Sequence, residues 1–512
     1  MDKIIKIEIP EFLHMRSSCC CSSGNDEEQA GTSLFDQDVS KERLLKTLQS
    51  DLTPVSNSNH LKIYTQNMWG IPIISKLVST RFQMLAEIIR DKDIDVFCFQ
   101  EVWSGKDRET IRNVGEENGY TGFCDFSYGP GMPLLPNFSG TGLVILSRYP
   151  ILETFFFPYS INGNPLKIWH GDFYGYKGIG LVRLKTETSN VDVYITHTIA
   201  EYHKDHDEYY GCRLSQLYEA SKLINSTRKS PLCLIAGDFN MTPDSFFYTL
   251  FVTLVQGIQD CWYSLHSNDK QGTYGNNDNI FVGDADIDRL DYLFAIYDTP
   301  SSSQPPIWTL SSCDICHYQG TASLNQPKQF PYLSLSDHEG IQANFITIPT
   351  KSNPKEEIPE FSSSVQSSDS HENTSNKSPL ISSNTFITTT TTATTTTTTS
   401  SNIPSLYPQY MTYEDVLIEA GRRFYKSSHY NFKKSTIFQI IGYSLLILGL
   451  LLFILLLIYY PLIPYVLWLS LLFPIIGIIL IILQRFVLKK DAYNYNQVAQ
   501  RILIDIKTFI SQ

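Results

Sequence analysis

The feature that most constrains this 512-residue chain is a run of 50 residues without a charged side chain, from Ser435 to Gln484. A helix crosses the apolar part of a bilayer with about 20 residues, so the run has room for two spans, which we predict at 437–459 and 465–483. Pro461 and Pro464, with tyrosines beside them, are typical of a turn at the membrane interface. A buried core hairpin is the alternative, and the length and purity of the run disfavour it.

Basic residues flank this run, whereas the turn between the predicted spans carries no charge. They are Lys433 and Lys434 before it and Arg485, Lys489 and Lys490 after it. The positive-inside rule places both flanks in the cytosol. The N-terminus lacks the apolar run of a signal peptide. We therefore expect an integral, multi-pass membrane protein whose large N-terminal part and C-terminus face the cytosol, in an organelle that the sequence does not specify.

Composition divides the rest of the chain into segments. We predict a flexible segment at 1–58, a folded domain at 59–348, a disordered Ser/Thr-rich linker at 349–404, a juxtamembrane segment at 405–434, the two spans within 435–484 and a tail at 485–512. The linker holds an almost pure threonine tract at 388–399, which cannot bury enough apolar area to fold. The N-terminal segment contains the cluster Cys19–Cys21, for which acylation, metal binding and a reduced, disordered tail stay open.

Short apolar and β-branched runs alternate with helical patterns in the segment 59–348. The runs read as buried strands at 61–69, 94–103, 140–148, 178–186, 191–198 and 231–240, and the patterns as helices at 81–91 and 209–227. Strands mixed with helices over such a length predict a layered α/β fold. With 65 aromatic residues in the chain, disorder of the whole chain is excluded.

The net charge of −12 is unevenly distributed. Residues 405–512 carry +5, so the first 404 residues carry −17. A nucleic-acid-binding protein normally presents a basic surface to phosphates. We therefore expect no nucleic-acid partner.

Polar side chains cluster at the ends of the predicted strands, where a charged group can reach a shared cleft. They are Asn67, Glu101, His197, Asp238, Asn240, Asp291 and the pair Asp337–His338. Each alone is most simply a solvated charge or a turn residue. Together they suit metal-assisted phosphoryl chemistry: Mg²⁺ prefers oxygen ligands, histidine is the usual base near neutral pH, and amide or imidazole groups stabilise phosphate charge.

The order of these motifs resembles a known group of proteins. QNMWG, FQEVW, THTIAEY, GDFN, RLDY and SDHEG resemble the endonuclease/exonuclease/phosphatase superfamily over about residues 60–348. The resemblance implies a four-layered α/β sandwich, with two packed mixed sheets flanked by helices. The stretches QNMWGIPIISK, NGNPLKIWHGDFYGYKGIGL and THTIAEYHKDHDEYYGCRLSQ are more specific. They resemble the neutral, Mg²⁺-dependent sphingomyelinases, which also carry a C-terminal pair of membrane spans.

The resemblance implies a metal and phosphate site at five positions. Glu101 would bind Mg²⁺, or Mn²⁺ as a substitute, with help from Asn67. Asp238 and Asn240 would hold the attacking water and the phosphate. His197 would contact the phosphate.

The same resemblance implies the base and a gate. His338 would be the general base and Asp337 would lie beside the metal, and whether Asp291 or Asp337 orients His338 is open. Asp172 and Lys177 match a loop thought to gate the site as a charge pair.

The implied reaction is phospholipase C-type hydrolysis of sphingomyelin to ceramide and phosphocholine at a membrane. A lipid substrate stays in the bilayer, so anchoring would raise its effective concentration. An inositol phosphosphingolipid or lysophosphatidylcholine phospholipase C is the alternative, and a nuclease or a non-catalytic scaffold is further away. Aromatic side chains favour a choline headgroup through cation–π contacts, and they are Trp169, Tyr174, Tyr176, Tyr202, Tyr209 and Tyr210. Anionic lipids are candidate activators at Arg422, Arg423, Lys433, Lys434, Lys489 and Lys490.

Overall fold

The computed structural model of the chain describes eleven stretches of sequence. They are residues 59–126, 140–164, 167, 170–203, 206–267, 271–283, 285–297, 308–321, 332–347, 411–458 and 464–511. The predicted N-terminal segment with Cys19–Cys21, the linker and the turn between the predicted spans lie outside these residues.

The strands and helices of this part follow the predicted order. The strands are β1 His60–Asn67, β2 Val96–Gln100, β3 Gly122–Asp125, β4 Val144–Ser147, β5 Ile151–Pro158, β6 Gly178–Lys185, β7 Asn190–His197, β8 Leu232–Asp238, β9 Gln259–Asp260, β10 Asp291–Tyr297, β11 Trp308–Cys316, β12 Gln319–Thr321, β13 Tyr332–Ser334 and β14 Gly340–Thr347. The helices are α1 Val78–Asp91, α2 Gly105–Glu117, α3 Tyr210–Thr227, α4 Phe246–Leu254, α5 Cys261–Leu265, α6 Tyr413–Ile458, α7 Pro464–Leu483 and α8 Lys489–Ser511, with a π-helical turn at Gln484–Leu488.

Two six-stranded mixed sheets form the centre of the fold. Their strand orders are β11-β14-β1-β2-β4-β3 and β5-β6-β7-β8-β10-β9. One cluster of fully buried side chains draws on both sheets, including Ile63 and Ile341 from the first and Val193 and Leu234 from the second. The sheets therefore pack face to face.

Helices cover the outer faces of both sheets. Tyr64 and Phe97 of the first sheet pack with Leu85 of α1. The second sheet packs against α3 and α4. Because both faces of the central strands are covered, these strands read as nearly continuous apolar runs. Two mixed sheets with flanking helices were predicted, and this part of the prediction is confirmed.

The pairing of the strands brings their polar ends to one edge. β1 and β2 are parallel, as are β7 and β8. His197 pairs with Asp238 at the end of β7. β10 runs antiparallel to β8, so Asp291 at its start lies opposite Asp238. One edge of the fold thus collects side chains from both sheets.

The C-terminal helices join the folded domain. The first turns of α6 bury Leu417 and Phe424, and α8 buries Val498 and Ile502, all in the cluster that holds α3 and α4. Residues 413–434 of the predicted juxtamembrane segment thus form nearly the first half of a 46-residue helix. The predicted tail is largely helix α8, and it packs on the domain.

Helix α6 is long and apolar enough to cross a membrane by length and composition, over 413–455. A shorter apolar helix covers 468–483. Gly442 of α6 and Gly477 of α7 lie where the two helices approach closely, since a Cβ at Gly477 would lie 2.7 Å from the carbonyl oxygen of Gly442. Multi-pass insertion and a cytosolic orientation stay predictions.

Candidate active site

Asn67, Glu101 and Asp238 meet at the sheet edge. The Asn67 Nδ2 donates to Glu101 Oε1 at 3.1 Å and to Asp238 Oδ2 at 3.0 Å. All three side chains are buried. One amide thus joins the two carboxylates, and through them the first sheet to the second.

Glu101 has the features expected of a cation ligand. Its backbone is in the left-handed region, at φ 59°, a conformation that costs a non-glycine residue about 1–3 kcal/mol and clusters at functional sites. Its Oε2 is buried without a hydrogen-bond partner among the described residues. Burial raises the pKa of this carboxyl, despite the opposing effect of Lys177. A cation at Oε2 would satisfy both the lone oxygen and the buried charge.

Asp238 and Asn240 form the turn after β8. The Asn240 backbone N–H donates to Asp238 Oδ1 at 2.9 Å, and its side-chain Nδ2 donates to the Thr198 carbonyl at 3.1 Å. Asn240 also has a positive φ, of 44°. Burial raises the pKa of Asp238 to about 6, and the nearby Asp291 adds to this effect.

His197 lies between a cation and two carboxylates. Its Nε2 is 2.9 Å from Lys177 Nζ, 3.6 Å from Asp238 Oδ2 and 3.9 Å from Glu101 Oε1. Burial and the adjacent Lys177 hold the pKa of His197 well below its usual value. His197 is therefore neutral at physiological pH.

His338 has the opposite electrostatic environment. Its Nδ1 is 2.8 Å from Asp291 Oδ2 and its Nε2 is 3.9 Å from Asp238 Oδ2. Burial alone would lower the pKa of His338, but Asp291, Asp238 and Asp337 outweigh it and hold the pKa well above the usual value. The structure thus places Asp291 where it can orient His338 and fix its tautomer.

Asp337 lies beside His338 in the chain but does not contact its imidazole within hydrogen-bond distance in the described structure. Its Oδ1 accepts a hydrogen bond from Ser336 Oγ at 3.2 Å. Burial raises the pKa of Asp337 to about 6. Adjacency in sequence had offered Asp337 as the partner of the base, and the geometry favours Asp291.

The pair Asp172 and Lys177 forms a buried salt bridge at 3.1 Å. Lys177 also contacts His197 and donates to the Thr198 carbonyl at 3.0 Å. Tyr202 donates its hydroxyl to Asp172 Oδ2 at 2.7 Å. The pair therefore contacts His197 directly through Lys177.

Arg81 supports the site and was missed at the sequence level. Its guanidinium is fully buried and donates to the carbonyls of Met68, Trp69 and Leu335. It thereby ties the loop after β1 to the segment that leads to His338. An arginine in an amphipathic helix is normally interpreted as a solvated charge. The one signal for a buried Arg81 is its position just before the buried apolar residues of α1.

Two positions within the cluster could hold a cation. The first is Glu101 with Asn67. The second is the group Asp238, Asp291 and His338, whose ligand atoms lie within 4.8 Å of one another. In the second group the Asp291–His338 hydrogen bond already uses two of the three ligands.

This edge of two packed mixed sheets, with paired carboxylates, amides and histidines, defines a phosphoesterase-type protein. Residues 64–312 match the sequence profile of the Endonuclease/Exonuclease/phosphatase family. As predicted, the chain is similar to a sphingomyelin phosphodiesterase and to a putative neutral sphingomyelinase.

Three curated relatives illustrate this similarity. Sphingomyelin phosphodiesterase 2 of Homo sapiens is 28% identical over 314 residues, 58% of this chain and 67% of the relative. A putative neutral sphingomyelinase of Drosophila melanogaster is 33% identical over 202 residues, 39% of this chain and 44% of the relative. The inositol phosphosphingolipids phospholipase C of Schizosaccharomyces pombe is 31% identical over 214 residues, 41% of this chain and 48% of the relative. The chain thus spans less than half of the latter two relatives.

Among solved structures, the crystal structure of SmcL aligns with a TM-score of 0.43 and 18% identity. The alignment covers 56% of this chain and 99% of SmcL.

Proposed function

We propose that this chain is a phospholipase C-type phosphodiesterase that hydrolyses sphingomyelin to ceramide and phosphocholine. The observation that carries the proposal is the His338–Asp291 pair, which faces Asp238 across the same buried cluster that holds Glu101 and Asn67. The named activities of the relatives agree with it.

His338 is the general base. Because Asp291 accepts a hydrogen bond from Nδ1–H, Nε2 of the neutral imidazole is left to accept a proton from water. That Nε2 lies on the side of Asp238. The ceramide oxygen leaves as an alkoxide while the water oxygen bonds to phosphorus, so one P–O bond forms as one breaks, and the alkoxide then takes a proton from solvent.

Glu101 and Asn67 hold the cation, which we propose to be Mg²⁺ with Mn²⁺ as a substitute. The unpaired Oε2 of Glu101 and the oxygen-rich surroundings fit a hard divalent ion. When bound, such an ion would neutralise charge on the phosphodiester and on the carboxylates around it.

Neutral donors and one lysine bind the phosphate oxygens. Asn240, His197 and Lys177 converge beside Asp238, and the two side chains Asn240 and Lys177 share the Thr198 carbonyl. Donors fixed by the fold stabilise the charge that develops in the transition state without reorganising. The Asp172–Lys177 pair would gate this side, because it holds Lys177 in position against His197 and the Thr198 carbonyl.

An aromatic cluster next to Asp172 fits a choline headgroup. Tyr202 stacks on His170 with ring centroids 3.8 Å apart, and Tyr209 packs edge-on against both. Aromatic faces attract a quaternary ammonium. Tyr210 does not join this cluster, because it packs against Phe247 at 4.5 Å. An inositol headgroup is the second candidate, favoured by the Schizosaccharomyces relative.

The C-terminal helices α6 and α7 would anchor the enzyme to the bilayer that contains its substrate, with the domain in the cytosol. Anionic lipids would activate it through the basic flanks of these helices. Arg422 and Arg423 both pair with Glu419 in the structure. The lysines at 433, 434, 489 and 490 are therefore the better candidates for lipid contact.

The test is headgroup release by the full chain from labelled sphingomyelin and from inositol phosphoceramide in detergent micelles, with Mg²⁺ and then with chelator. We expect phosphocholine release that stops with chelator and in His338→Ala. Release of inositol phosphate alone would keep the mechanism and change the substrate. A folded protein that releases neither, or that hydrolyses DNA instead, would overturn the proposal.

A further inference from the structure

The loop between β1 and α1 presents a cluster of exposed aliphatic side chains. Ile73 is 87% exposed, Ile74 56% and Leu77 40%. Lys76 is exposed in the same turn. Scattered surface aliphatics are ordinary, but three within five residues form a patch. The patch occurs in a folded domain whose other aliphatic residues are largely buried.

The loop has a defined structure. The Ile71 N–H donates to Ser75 Oγ at 2.9 Å, and the Ser75 N–H donates back to the Ile71 carbonyl at 3.0 Å. Ile73 and Leu77 have φ of 73° and 51°, in the left-handed region that β-branched and bulky residues rarely adopt. The fold therefore holds these side chains outward instead of letting them collapse onto the domain.

The loop is attached directly to the proposed active site. Asn67 precedes it by only a few residues, and the Gly70 N–H donates to the Glu101 carbonyl at 3.1 Å. Arg81 donates a hydrogen bond to the Trp69 carbonyl at 2.7 Å. A surface that the loop touches is therefore at the mouth of the site.

Helix α6 leaves the domain at the same edge. Its residue Arg423 contacts Tyr210 at the start of α3, and α3 begins shortly after His197 at the active-site edge. One turn further, Ser427 packs on Gly211. Tyr430 and Lys434 then line a small cavity together with Gly163 and Tyr209. The uncharged part of α6 therefore begins on the side of the domain that carries the active site.

We infer that the loop 70–77 inserts Ile73, Ile74 and Leu77 into the surface of the bilayer that holds the substrate, with Lys76 among the headgroups. This inference rests on the proposed function. The insertion fixes the active site at the depth of the phosphodiester, because the loop is bonded to Glu101. The lipid surface is favoured over a protein partner because the anchoring helix and the loop share one edge of the domain, and because apolar side chains beside a lysine suit a lipid–water interface.

The test compares two variants. One is the double variant Ile73→Asn/Ile74→Ser, and the other is the control Leu152→Ser. Asparagine accepts a positive φ more readily than isoleucine, so the double variant should melt at the same temperature as the wild type or higher. Leu152 is 39% exposed and lies at the start of β5, next to Ile151, which pairs with Leu184 near the far end of β6. It is therefore a comparable aliphatic side chain at the opposite edge.

With the full chain in vesicles, the double variant should release headgroup from vesicle sphingomyelin about tenfold more slowly than the wild type. A tenfold change corresponds to about 1.4 kcal/mol. Release from monomeric short-chain sphingomyelin should stay within about twofold of the wild type, and Leu152→Ser should match the wild type in both. Equal losses on both substrates, or none on vesicles, would refute the insertion. Absence of turnover on any substrate in the wild type would instead refute the proposed function.

A physical readout separates the loop from the chemistry. A fluorescent side chain placed at position 74 should be quenched by lipids brominated in their acyl chains, and one at position 152 should not. Equal quenching at both positions, or none at 74, would contradict insertion. Position 74 could instead become shielded from solvent as the protein concentration rises, without quenching by the brominated lipids. That result would contradict insertion and indicate that a second copy of the chain covers the loop.

Discussion

The substitution Asp291→Asn tests how the proposed base is oriented. The Asp291 carboxylate is fully buried and lies 2.8 Å from His338 Nδ1. A hydrogen bond to a charged group contributes about 1.5–3 kcal/mol, which corresponds to roughly one to two pKa units. Asparagine keeps the size of the side chain but can donate to Nδ1, which would move the proton to Nε2 and remove the base.

We expect the pH-independent rate to fall by about 10²–10⁴, as for loss of an orienting carboxylate or of general-base catalysis. The direction of the pH effect follows from the raised pKa of His338. Only neutral His338 accepts a proton, so kcat/KM falls as the pH is lowered through this pKa. Without Asp291 the pKa drops, and the acidic limb of the profile moves to lower pH.

The assay is kcat/KM for headgroup release from micellar sphingomyelin between pH 5 and pH 9 at saturating Mg²⁺. Asp337→Asn is the control, because Asp337 accepts from Ser336 Oγ instead of contacting the imidazole. Asp337→Asn should shift the acidic limb of the kcat/KM profile less than Asp291→Asn does. A wild-type profile in Asp291→Asn together with a collapsed rate in Asp337→Asn would show that the assignment of the orienting residue is wrong.

Three further substitutions probe other parts of the structure. Glu101→Gln should lower the Mg²⁺-dependent rate at least ~10³-fold. Its melting temperature without cation should stay equal or rise, because burial raises the pKa of Glu101. The control Glu116→Gln, at an exposed position, should change neither quantity, and full activity of Glu101→Gln would exclude Glu101 as the metal ligand. Asp172→Asn should lower kcat/KM by about tenfold or more, since Lys177 and Tyr202 both lose a charged partner. Steady-state kinetics measures this loss, and thermal melting of Asp172→Asn beside Tyr202→Phe would expose a purely structural effect as an equal loss of stability in the two variants. Gly237→Ala should lower the free energy of unfolding by more than ~3 kcal/mol, because φ is 148° and the new Cβ would lie 2.0 Å from the Thr196 carbonyl oxygen. The control Gly119→Ala has φ 82° but open space around the new Cβ, so it should cost only about 1 kcal/mol. Urea unfolding measures both values, and equal costs would mean that the close contact is not the cause.

The linear pattern was enough to predict most of the residues that meet in the candidate site. Asn67, Glu101, His197 and Asp238 follow apolar runs, and such runs form buried strands whose ends are the natural place for polar side chains. The spacing of apolar residues likewise predicted α1 and α3 close to their observed bounds. These features depend on short-range periodicity, which a single sequence displays directly.

The partner of the base could not be read in this way. Asp337 precedes His338 in the chain, whereas Asp291 is 47 positions away. Asp291 reaches the imidazole only because β10 pairs antiparallel with β8 and begins at the active-site edge. The sequence also could not show that Arg81 is buried, since its partners are backbone carbonyls, which every residue carries.

The C-terminal region shows the same division between local and tertiary information. The absence of charge from Ser435 to Gln484 by itself determined that an apolar helical region follows the domain. Only the tertiary structure decided that α6 begins 22 residues earlier and is held by Tyr210, and that Asp505 of α8 accepts a hydrogen bond from Tyr218. Hydropathy is a property of each segment alone, whereas docking depends on complementary side chains hundreds of positions apart, and these come together only when the chain folds.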